Sequence, residues 1–420
     1  MLLRTDADAI DPRMRPLFER SGLSALRLRG RALLPIVQGG MGVGVSAHKL
    51  AGSVAALGGV GTISSVDLRR HHPDLMERTQ GLASRPGMDA DSKARIDAAN
   101  LEAIDREIAA ARTLSQGRGL LAINVMRAVA EYAASVKRAL EAGIDAVVVG
   151  AGLPLDLPDL AAEHPDALLV PILSDARGVQ LIVKKWERKK RLPDAIVIEH
   201  PRLAGGHLGA AKIADLNDPR FDFENVIPQS REFLKSAGIE RDIPLIAAGG
   251  IRTFEDIARL QSLGAAAVQL GTPFAVTEEG DASDAFKHVL ADAKDEDMVE
   301  FTSVAGLPAR AVATPWLRAY LKIEDRLQAA AHAQTRCTKA LDFLPPGGLR
   351  GRHRSPLAIE SARLRRKVSS KKLPALSPAG ISSSAREAAS RRPERSSLRA
   401  RMRRTRSSAQ RGPHGSASPP

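Results

Sequence analysis

Two glycine-containing pairs, Gly249-Gly250 and Gly271-Thr272, each follow an apolar run and precede a helical pattern. Glycine at the end of a strand leaves backbone N–H groups uncovered, and the N-terminus of the following helix favours an anion. Thr272 adds a hydroxyl donor. Because neighbouring parallel strands end on the same side of a sheet, the two pairs predict one phosphate-binding site. The alternative, that tight βα turns use glycine in any case, explains one pair better than two in succession.

His207 lies among three glycines in the sequence AGGHLG at 204–209. Few side chains surround it, so its imidazole is open to a ligand and the backbone can approach a flat molecule. An ordinary histidine pKa of about 6.5 suits it to take a proton from a carbon acid or to hydrogen-bond an anion. We interpret His207 as a candidate catalytic base; the alternative is a loop histidine bonded to the backbone.

The stretch QGGMGVG at 38–44 closes another apolar run. Its glycines allow the backbone to approach a planar ring, and Met41 offers a soft apolar contact. The alternative is a glycine-rich turn into a helix capped by Ser46. Asn124 is a polar residue within the apolar run LLAINVM, so its amide needs partners, supplied by a ligand or by a structural hydrogen bond. Four further polar residues occupy similar positions at strand ends: Ser64, Ser174, Asp175 and Glu199.

A metal site is not expected. Glu199, His200 and His207 are close in sequence, but their spacing fits no standard ligand pattern and Pro201 lies between them. His71 and His72 are interpreted as solvated loop residues. We therefore predict no bound metal.

Eight short apolar runs alternate with helical patterns over about 260 residues. Such runs, buried on both faces, indicate parallel strands, and eight pairs predict an α/β fold, a (β/α)8 TIM barrel. An open doubly wound sheet is disfavoured because the glycines at 40, 42 and 44 do not fit GxGxxG. The predicted strands are Leu33–Val37, Val60–Ile63, Leu120–Val125, Ala146–Val149, Leu168–Leu173, Ala195–Ile198, Leu245–Ala248 and Ala266–Leu270.

The chain divides into three predicted regions: an N-terminal extension at 1–30, the barrel with C-terminal helices at 31–344, and a disordered basic tail at 345–420. The tail carries 19 Lys and Arg against three Asp and Glu, so it supplies +16 of a whole-chain charge of +14 and leaves −2 for residues 1–344. It has no aromatic residue and cannot bury a core. Two long βα insertions, Asp67–Asp97 and Ala210–Pro228, are expected to wall the active site. Phe301–Val312 is expected to be a packed connector.

The single cysteine, Cys337, excludes an internal disulfide framework and fits a reducing compartment. The N-terminal residues contain acids where a signal peptide needs an apolar region, and no run approaches the roughly 18–20 apolar residues of a membrane span. We expect a cytoplasmic protein without membrane contact.

With these motifs assembled, the chain resembles the nitronate monooxygenase family, formerly called 2-nitropropane dioxygenases. The resemblance rests on PIVQGGMGVGVS at 35–46, AINVM at 122–126, AGGHLG at 204–209, PLIAAGGI at 244–251 and GAAAVQLGTPF at 264–274. It implies an FMN-dependent barrel with His207 as the catalytic residue over the flavin. The implied cofactor contacts are the ring contacts Gly39, Gly40 and Met41, the polar contact Asn124, the glycine Gly206, and the phosphate contacts Gly249, Gly250, Gly271 and Thr272. The stretch from Glu199 to Leu203 departs from the family pattern and indicates a different substrate pocket.

The resemblance implies oxidation of nitronates or nitroalkanes by O2 to carbonyl compounds and nitrite. The alternative on the same scaffold is an NAD(P)H-dependent FMN reductase, such as an enoyl-acyl-carrier-protein reductase. A barrel like that of inosine-monophosphate dehydrogenase is disfavoured because it needs a cysteine after the sixth strand. An alternative of another class is a non-catalytic protein tethered to nucleic acid by the tail, although the tail lacks aromatic stacking groups. The physiological substrate, the oligomeric state and whether the tail is native or frame-shifted stay open.

Overall fold

A computed structural model of the chain describes residues 9–82, 90–207, 210, 212–239, 242–302 and 308–326, with Gly206 and His207 described by their backbone alone. The chain divides into two units, Met1–Gly348 and Leu349–Pro420, and all described residues belong to the first. The predicted tail at 345–420 lies outside the described residues.

Strands and helices alternate through much of the described part of the chain. The strands are β1 (Leu26–Leu28), β2 (Arg31–Leu33), β3 (Ile36–Gln38), β4 (Val60–Ser64), β5 (Leu120–Met126), β6 (Ala146–Gly150), β7 (Leu168–Leu173), β8 (Ile196–Glu199), β9 (Gly206–His207), β10 (Leu245–Ala248), β11 (Ala267–Leu270), β12 (Met298–Thr302) and β13 (Pro308–Val312). The helices are α1 (Arg15–Ser21), α2 (His48–Leu57), α3 (Pro73–Arg78), α4 (Ala90–Ser115), α5 (Tyr132–Glu141), α6 (Leu157–Leu160), α7 (Ala176–Glu187), α8 (Phe223–Ser236), α9 (Phe254–Ser262), α10 (Thr272–Ala275), α11 (Asp284–Ala291) and α12 (Pro315–Leu321).

Eight parallel strands close into a barrel in the order β3-β4-β5-β6-β7-β8-β10-β11. The register pair Val268 with Ile36 joins the last strand to the first. Every residue of β6 is buried, as expected for a strand covered on both faces. The predicted (β/α)8 barrel is confirmed.

Alternate residues along each barrel strand face two separate cores. On β5, Leu120 and Ala122 belong to the cluster inside the barrel, while Leu121 and Ile123 belong to the cluster between strands and helices. This division follows from the two-residue period of a strand. Leu26, Leu28 and Leu33 of the β1–β2 hairpin join the inner cluster, so the hairpin packs against the barrel interior.

Three predicted boundaries are wrong. The insertion predicted at Asp67–Asp97 ends early, since α4 begins at Ala90. The run Leu33–Val37 is not one strand, because β2 ends at Leu33 and β3 begins at Ile36, with Pro35 lacking a ladder N–H between them. The insertion Ala210–Pro228 ends early, since α8 begins at Phe223 and contains Pro228. A proline at the sixth position removes one helical hydrogen bond, and buried Phe223, Val226 and Ile227 hold the helix against the core.

The segment predicted as a connector, Phe301–Val312, contributes instead to a second sheet. This sheet has the order β12-β13-β9 and is antiparallel throughout. It lies outside the barrel ladder and includes the backbone of His207. Within the described part of the chain, no helix is both long and apolar enough to cross a membrane.

Candidate functional site

Three glycine-containing segments meet at the carboxyl ends of adjacent barrel strands. The ends of β10 and β11 are neighbours through the pair Ala248 with Gln269, and β11 continues to β3 through the pair Leu270 with Gln38. Gly249-Gly250, Gly271-Thr272 and Gly39-Gly40 therefore follow three consecutive strands. The barrel brings together the residues that the sequence placed in a shared site.

Gly249 and Gly250 form a turn that other residues would strain. Their φ angles are 111° and 71°, in the left-handed region, and a Cβ on Gly250 would lie 2.9 Å from Leu203 Cδ1. The backbone N–H groups of Gly249, Gly250, Gly271 and Thr272 have no hydrogen-bond acceptor among the described residues. Such open donors on two adjacent strand ends suit an anion.

The helix contribution predicted for this anion site is small. A capping box of Thr253 and Asp256 already occupies the N-terminus of α9. The helix after Gly271, α10, has only four residues. Any phosphate here would be held by the amides of the turns rather than by helix termini.

The end of β3 lies directly against Asn124. A Cβ on Gly40 would stand 2.3 Å from the Cβ of Asn124, so only glycine fits at this position. Asn124 is partly buried and its amide makes no hydrogen bond among the described residues. A Cβ on Gly271 would lie 3.5 Å from the Met41 Sδ, so Met41 lies beside the Gly271-Thr272 turn. Gly40 thus adjoins Asn124, and its neighbour Met41 adjoins Gly271.

Gln38 is fully buried and has a structural role. Its Oε1 accepts from the Thr62 N–H at 2.8 Å, and its Nε2 donates to the Thr62 carbonyl at 3.1 Å and to the Gly39 carbonyl. These bonds fix the chain direction at the start of the QGGMGVG loop. The loop is closed by Ser46, whose Oγ accepts from the Met41 N–H at 2.9 Å. The expectation that Ser46 is the N-cap of the helix is wrong, because Ala47 occupies the N-cap position of α2.

Two carboxylates from distant segments cap α2 where the loop ends. Asp281 Oδ2 accepts from the N–H groups of Ala47 at 2.7 Å and Leu50 at 3.1 Å. Glu107 Oε2 accepts from the His48 N–H at 2.7 Å. These bonds satisfy amides that a helix leaves without intrahelical partners, and they tie the loop to α4 and to the segment after α10.

Glu107 is buried between two histidines. Its side chain is 0% exposed, and Oε2 contacts His48 Nδ1 at 2.7 Å while Oε1 lies 2.9 Å from His72 Nε2. Burial acts to raise the pKa of Glu107, but the hydrogen bonds from His48 outweigh it and hold the pKa below its ordinary value. The same contact raises the pKa of His48 against the effect of burial.

The prediction that His71 and His72 are solvated is wrong. The His72 side chain is 17% exposed, and a Cβ on Gly44 would lie 3.2 Å from His71 Nε2. His71 therefore packs against the QGGMGVG loop, and His72 packs against Glu107. Together with Glu107, the two histidines are packing residues next to the candidate site, and they are not part of a solvated insertion.

Glu199 ends β8 on the other side of the mouth. It is partly buried, and its carboxylate makes no hydrogen bond or ion pair among the described residues. Burial raises its pKa to about 7, so its carboxyl changes charge near neutrality. Its position as the only polar residue at the end of an apolar strand was the sequence signal for it.

His200 is a structural residue. It is 7% exposed, its N–H donates to the Ala248 carbonyl at 2.8 Å, and its ring meets Phe223 edge to face at 5.6 Å. Its Nε2 lies 3.4 Å from Asp222 Oδ1. No group of three or more His, Cys, Asp or Glu among the described residues is arranged to hold a metal.

The structure places the backbone of His207 and Gly206 but not the His207 side chain. Both residues form β9, with His207 paired to Ala309 and Gly206 paired to Arg310. The predicted catalytic and cofactor roles of these two residues stay predictions.

The remaining polar candidates divide. Ser64 is buried, and its Oγ would lie 3.1 Å from a Cβ on Gly42, under the loop. Asp175 accepts from the Gly178 N–H at 2.7 Å and caps α7, so its role is structural. One residue was missed, Gln269, whose side-chain amide lies 3.2 Å from where a Cβ on Gly39 would stand. A glutamine inside the apolar run AAAVQL gives the same signal as Asn124.

The chain is similar to proteins of one known family. A family model described as nitronate monooxygenase matches residues 30–372. A probable nitronate monooxygenase of Staphylococcus saprophyticus is 30% identical over 133 residues, and the chain spans only 36% of that relative's length. These 133 residues are 31% of this chain.

Solved structures share the fold. FabK of Thermotoga maritima matches 80% of this chain and 84% of its own length, with a TM-score of 0.51 and 21% identity. A nitroalkane oxidase of Streptomyces ansochromogenes matches 68% of this chain and 78% of its own length, with a TM-score of 0.50 and 21% identity. At this identity the two structures support the barrel alone.

Proposed function

This chain belongs to the nitronate monooxygenase family, and we propose that it is an FMN-dependent enzyme that oxidises small nitronates or nitroalkanes with molecular oxygen. The products are a carbonyl compound and nitrite. The observation that carries the proposal is the pair of adjacent turns, Gly249-Gly250 and Gly271-Thr272, whose open amides face no protein acceptor among the described residues. The probable nitronate monooxygenase of Staphylococcus saprophyticus supports it at 30% identity.

The residues present fit FMN. One phosphate group matches one set of open amides at the ends of β10 and β11. Gly39, Gly40 and Met41 lie beside this set, where backbone without side chains can contact a flat ring. The free amide of Asn124 adds a donor and an acceptor against Gly40 for a polar edge of the ring. FMN, when bound, accepts electrons from the substrate and passes them to oxygen.

His207 is the proposed catalytic base, with Gly206 as a neighbouring cofactor contact. Its imidazole would remove the proton from the carbon next to the nitro group of a neutral nitroalkane, or would hydrogen-bond an incoming nitronate anion. Its support is the AGGHLG sequence and the placement of its backbone in β9, after the β8 end of the barrel. Glu199, with its pKa raised to about 7, is a second titratable group on this side of the mouth.

The visible spectrum of the purified protein and anaerobic mixing test the proposal. We expect a bound flavin that ethyl nitronate bleaches rapidly without oxygen. Bleaching by NADPH but not by nitronates would support the alternative, an NAD(P)H-dependent FMN reductase. Protein that contains no flavin and does not bind added FMN would contradict both.

A nucleic-acid-tethered, non-catalytic protein is the alternative of another class. Its basic tail at 345–420 lies outside the described residues. This alternative predicts that the protein binds DNA and slows its migration in a gel, that this binding depends on salt and is lost when the tail is removed, and that the purified protein contains no flavin. We propose the cytoplasm as the location on the basis of the single Cys337.

A further inference from the structure

The strand that carries His207 is held by residues that follow the barrel. β9 has two residues, and its ladder partners are Ala309 and Arg310 of β13. Neither residue is part of the barrel. The chain leaves the barrel at Glu199, the end of β8, eight residues before His207. The position of the β9 backbone therefore depends on the position of β13.

β13 is fixed through β12. The two strands pair antiparallel from Met298 with Val312 to Thr302 with Pro308. The Ala313 N–H donates to the Asp297 carbonyl at 2.7 Å and closes the open end of this hairpin. β13 thus pairs with β12 on one side and with β9 on the other, so a shift of β12 would also shift β9.

Thr302, the last residue of β12, is bound by side chains from the final described segment. Its carbonyl accepts from the Tyr320 hydroxyl at 2.6 Å, and its N–H donates to Glu324 Oε1 at 2.6 Å. Tyr320 is 6% exposed, meets Phe301 edge to face at 5.9 Å and stacks on Trp316 at 5.7 Å. A rigid, buried ring with a directed hydroxyl is well suited to fix a strand end.

We propose that Tyr320 is a positioning residue for His207, acting through Thr302 and the sheet β12-β13-β9. The inference rests on the proposed function of His207 as a base. Proton removal is sensitive to geometry, so loss of the Tyr320 hydroxyl should lower turnover of neutral nitroalkanes and leave the cofactor side of the mouth intact.

Tyr320→Phe tests the proposal in the full, flavin-loaded chain. We expect kcat with nitroethane to fall about tenfold and kcat with ethyl nitronate, which needs no proton removal, to change less than about twofold. Bound flavin and its spectrum should match those of the wild type. Equal loss with both substrates, or loss of flavin, would make Tyr320 a general structural residue and overturn the proposal. No change with either substrate would overturn it too.

Two control variants distinguish the effect of the Tyr320 hydroxyl bond on β12 from a general effect on side-chain packing. Trp316→Phe shortens the ring that stacks on Tyr320 but keeps the hydroxyl bond, and Trp316 is 67% exposed, so nitroethane turnover should stay within about twofold. Tyr132→Phe makes the same chemical change at a buried tyrosine bonded to Asp156 at 3.3 Å, and it should leave the ratio of the two substrates unchanged.

Hydrogen exchange provides a readout that does not depend on activity. Tyr320→Phe should speed amide exchange in peptides covering 204–210 and 308–313 by at least about threefold, with no change in peptides covering β10. Unchanged amide exchange in 204–210 would show that Tyr320 does not hold the β9 backbone, and it would refute the proposal. A wild-type protein whose flavin is not reduced by either substrate would instead refute the proposed function, which distinguishes the two failures.

Discussion

The two sides of the barrel mouth are built differently. The side formed by β10, β11 and β3 presents glycines and open backbone amides, and its shape follows from the barrel ladder itself. The side after β8 presents ionisable residues, Glu199 and His207, and the second of these lies on a strand held by residues beyond the barrel. The proposed cofactor would thus be bound by the barrel scaffold, while the group proposed for substrate chemistry lies on a separate sheet.

The largest effect is expected on the backbone-built side. Gly40→Ala places a Cβ 2.3 Å from the Asn124 Cβ, a clash between two fixed segments. We expect FMN affinity to fall at least about 100-fold and the free energy of unfolding to fall by about 1–3 kcal/mol. Fluorescence titration with FMN and chemical denaturation measure the two quantities.

Gly205→Ala is the matched control on the other side. A Cβ there meets no atom within 4 Å in the part of the chain that the structure describes. We expect normal FMN affinity from it. Comparable loss in both variants would mean that the two sides do not differ as described.

The next effect isolates the side after β8. His207→Asn should retain FMN and lose nitroethane turnover by about 100-fold or more, because general base catalysis contributes about 10²–10⁴-fold. Turnover of ethyl nitronate should fall far less. Steady-state kinetics with both substrates at one pH test this, and equal losses would remove the general-base role from His207.

A third prediction concerns the support beneath the cofactor side. Glu107→Gln leaves His48 without its buried carboxylate, and we expect the free energy of unfolding to fall by about 3 kcal/mol. Glu102→Gln on the same helix removes exposed ion pairs with Arg78 and Arg106, which solvent screens, so it should lower the free energy of unfolding far less than Glu107→Gln does. Similar losses in the two variants would contradict a special role for Glu107.

The loss caused by Glu107→Gln should depend on pH. The lowered pKa of Glu107 gives stability that is fully present above its ordinary value of 4.5 and lost as pH falls through the folded value. The raised pKa of His48 gives stability that is fully present below its ordinary value of 6.5 and lost as pH rises through the folded value. The difference between wild type and variant should therefore be largest between about pH 5 and 6.

The smallest effect is expected at Glu199. Because its folded pKa is raised from 4.5 to about 7, the wild type loses stability as pH rises across that range and keeps the loss above it. Glu199→Gln should be more stable than wild type at pH 8 by about 1–3 kcal/mol, and equal to it near pH 4. Denaturation of the FMN-free protein at both pH values measures this. A variant that is less stable at pH 8 would mean that Glu199 has a favourable partner.

Much of the barrel follows from local sequence. Continuous apolar runs such as the one that forms β5 can be read without tertiary information, because burial on both faces removes polar residues. Polar residues that interrupt such runs near their ends, such as Asn124, mark the mouth. The run Leu33–Val37 was wrongly predicted as one strand. It contains the end of a hairpin strand and the start of a barrel strand, which adjoin across Pro35 with no change in composition.

The parts that were missed depend on contacts between distant segments. The burial of His72 arises from Glu107, on a helix that follows a long insertion, and nothing near His72 in sequence indicates it. The pairing of β9 with β13 likewise joins residues about 100 apart, and a two-residue strand has no periodicity to detect. Local patterns therefore identified the scaffold-built side of the mouth better than the other side.

The bond from Asp281 to the start of α2 also constrains the order in which the protein can mature. The carboxylate that caps Ala47 lies 234 residues later in the chain. On a ribosome adding about 5–20 residues per second, these two residues emerge tens of seconds apart. During that time the amides at the start of α2 must be satisfied by water, and the QGGMGVG loop lacks one of its anchors. The QGGMGVG loop is therefore expected to reach its final form only after the last barrel strand has emerged, and binding of the proposed cofactor would then be a late event in synthesis.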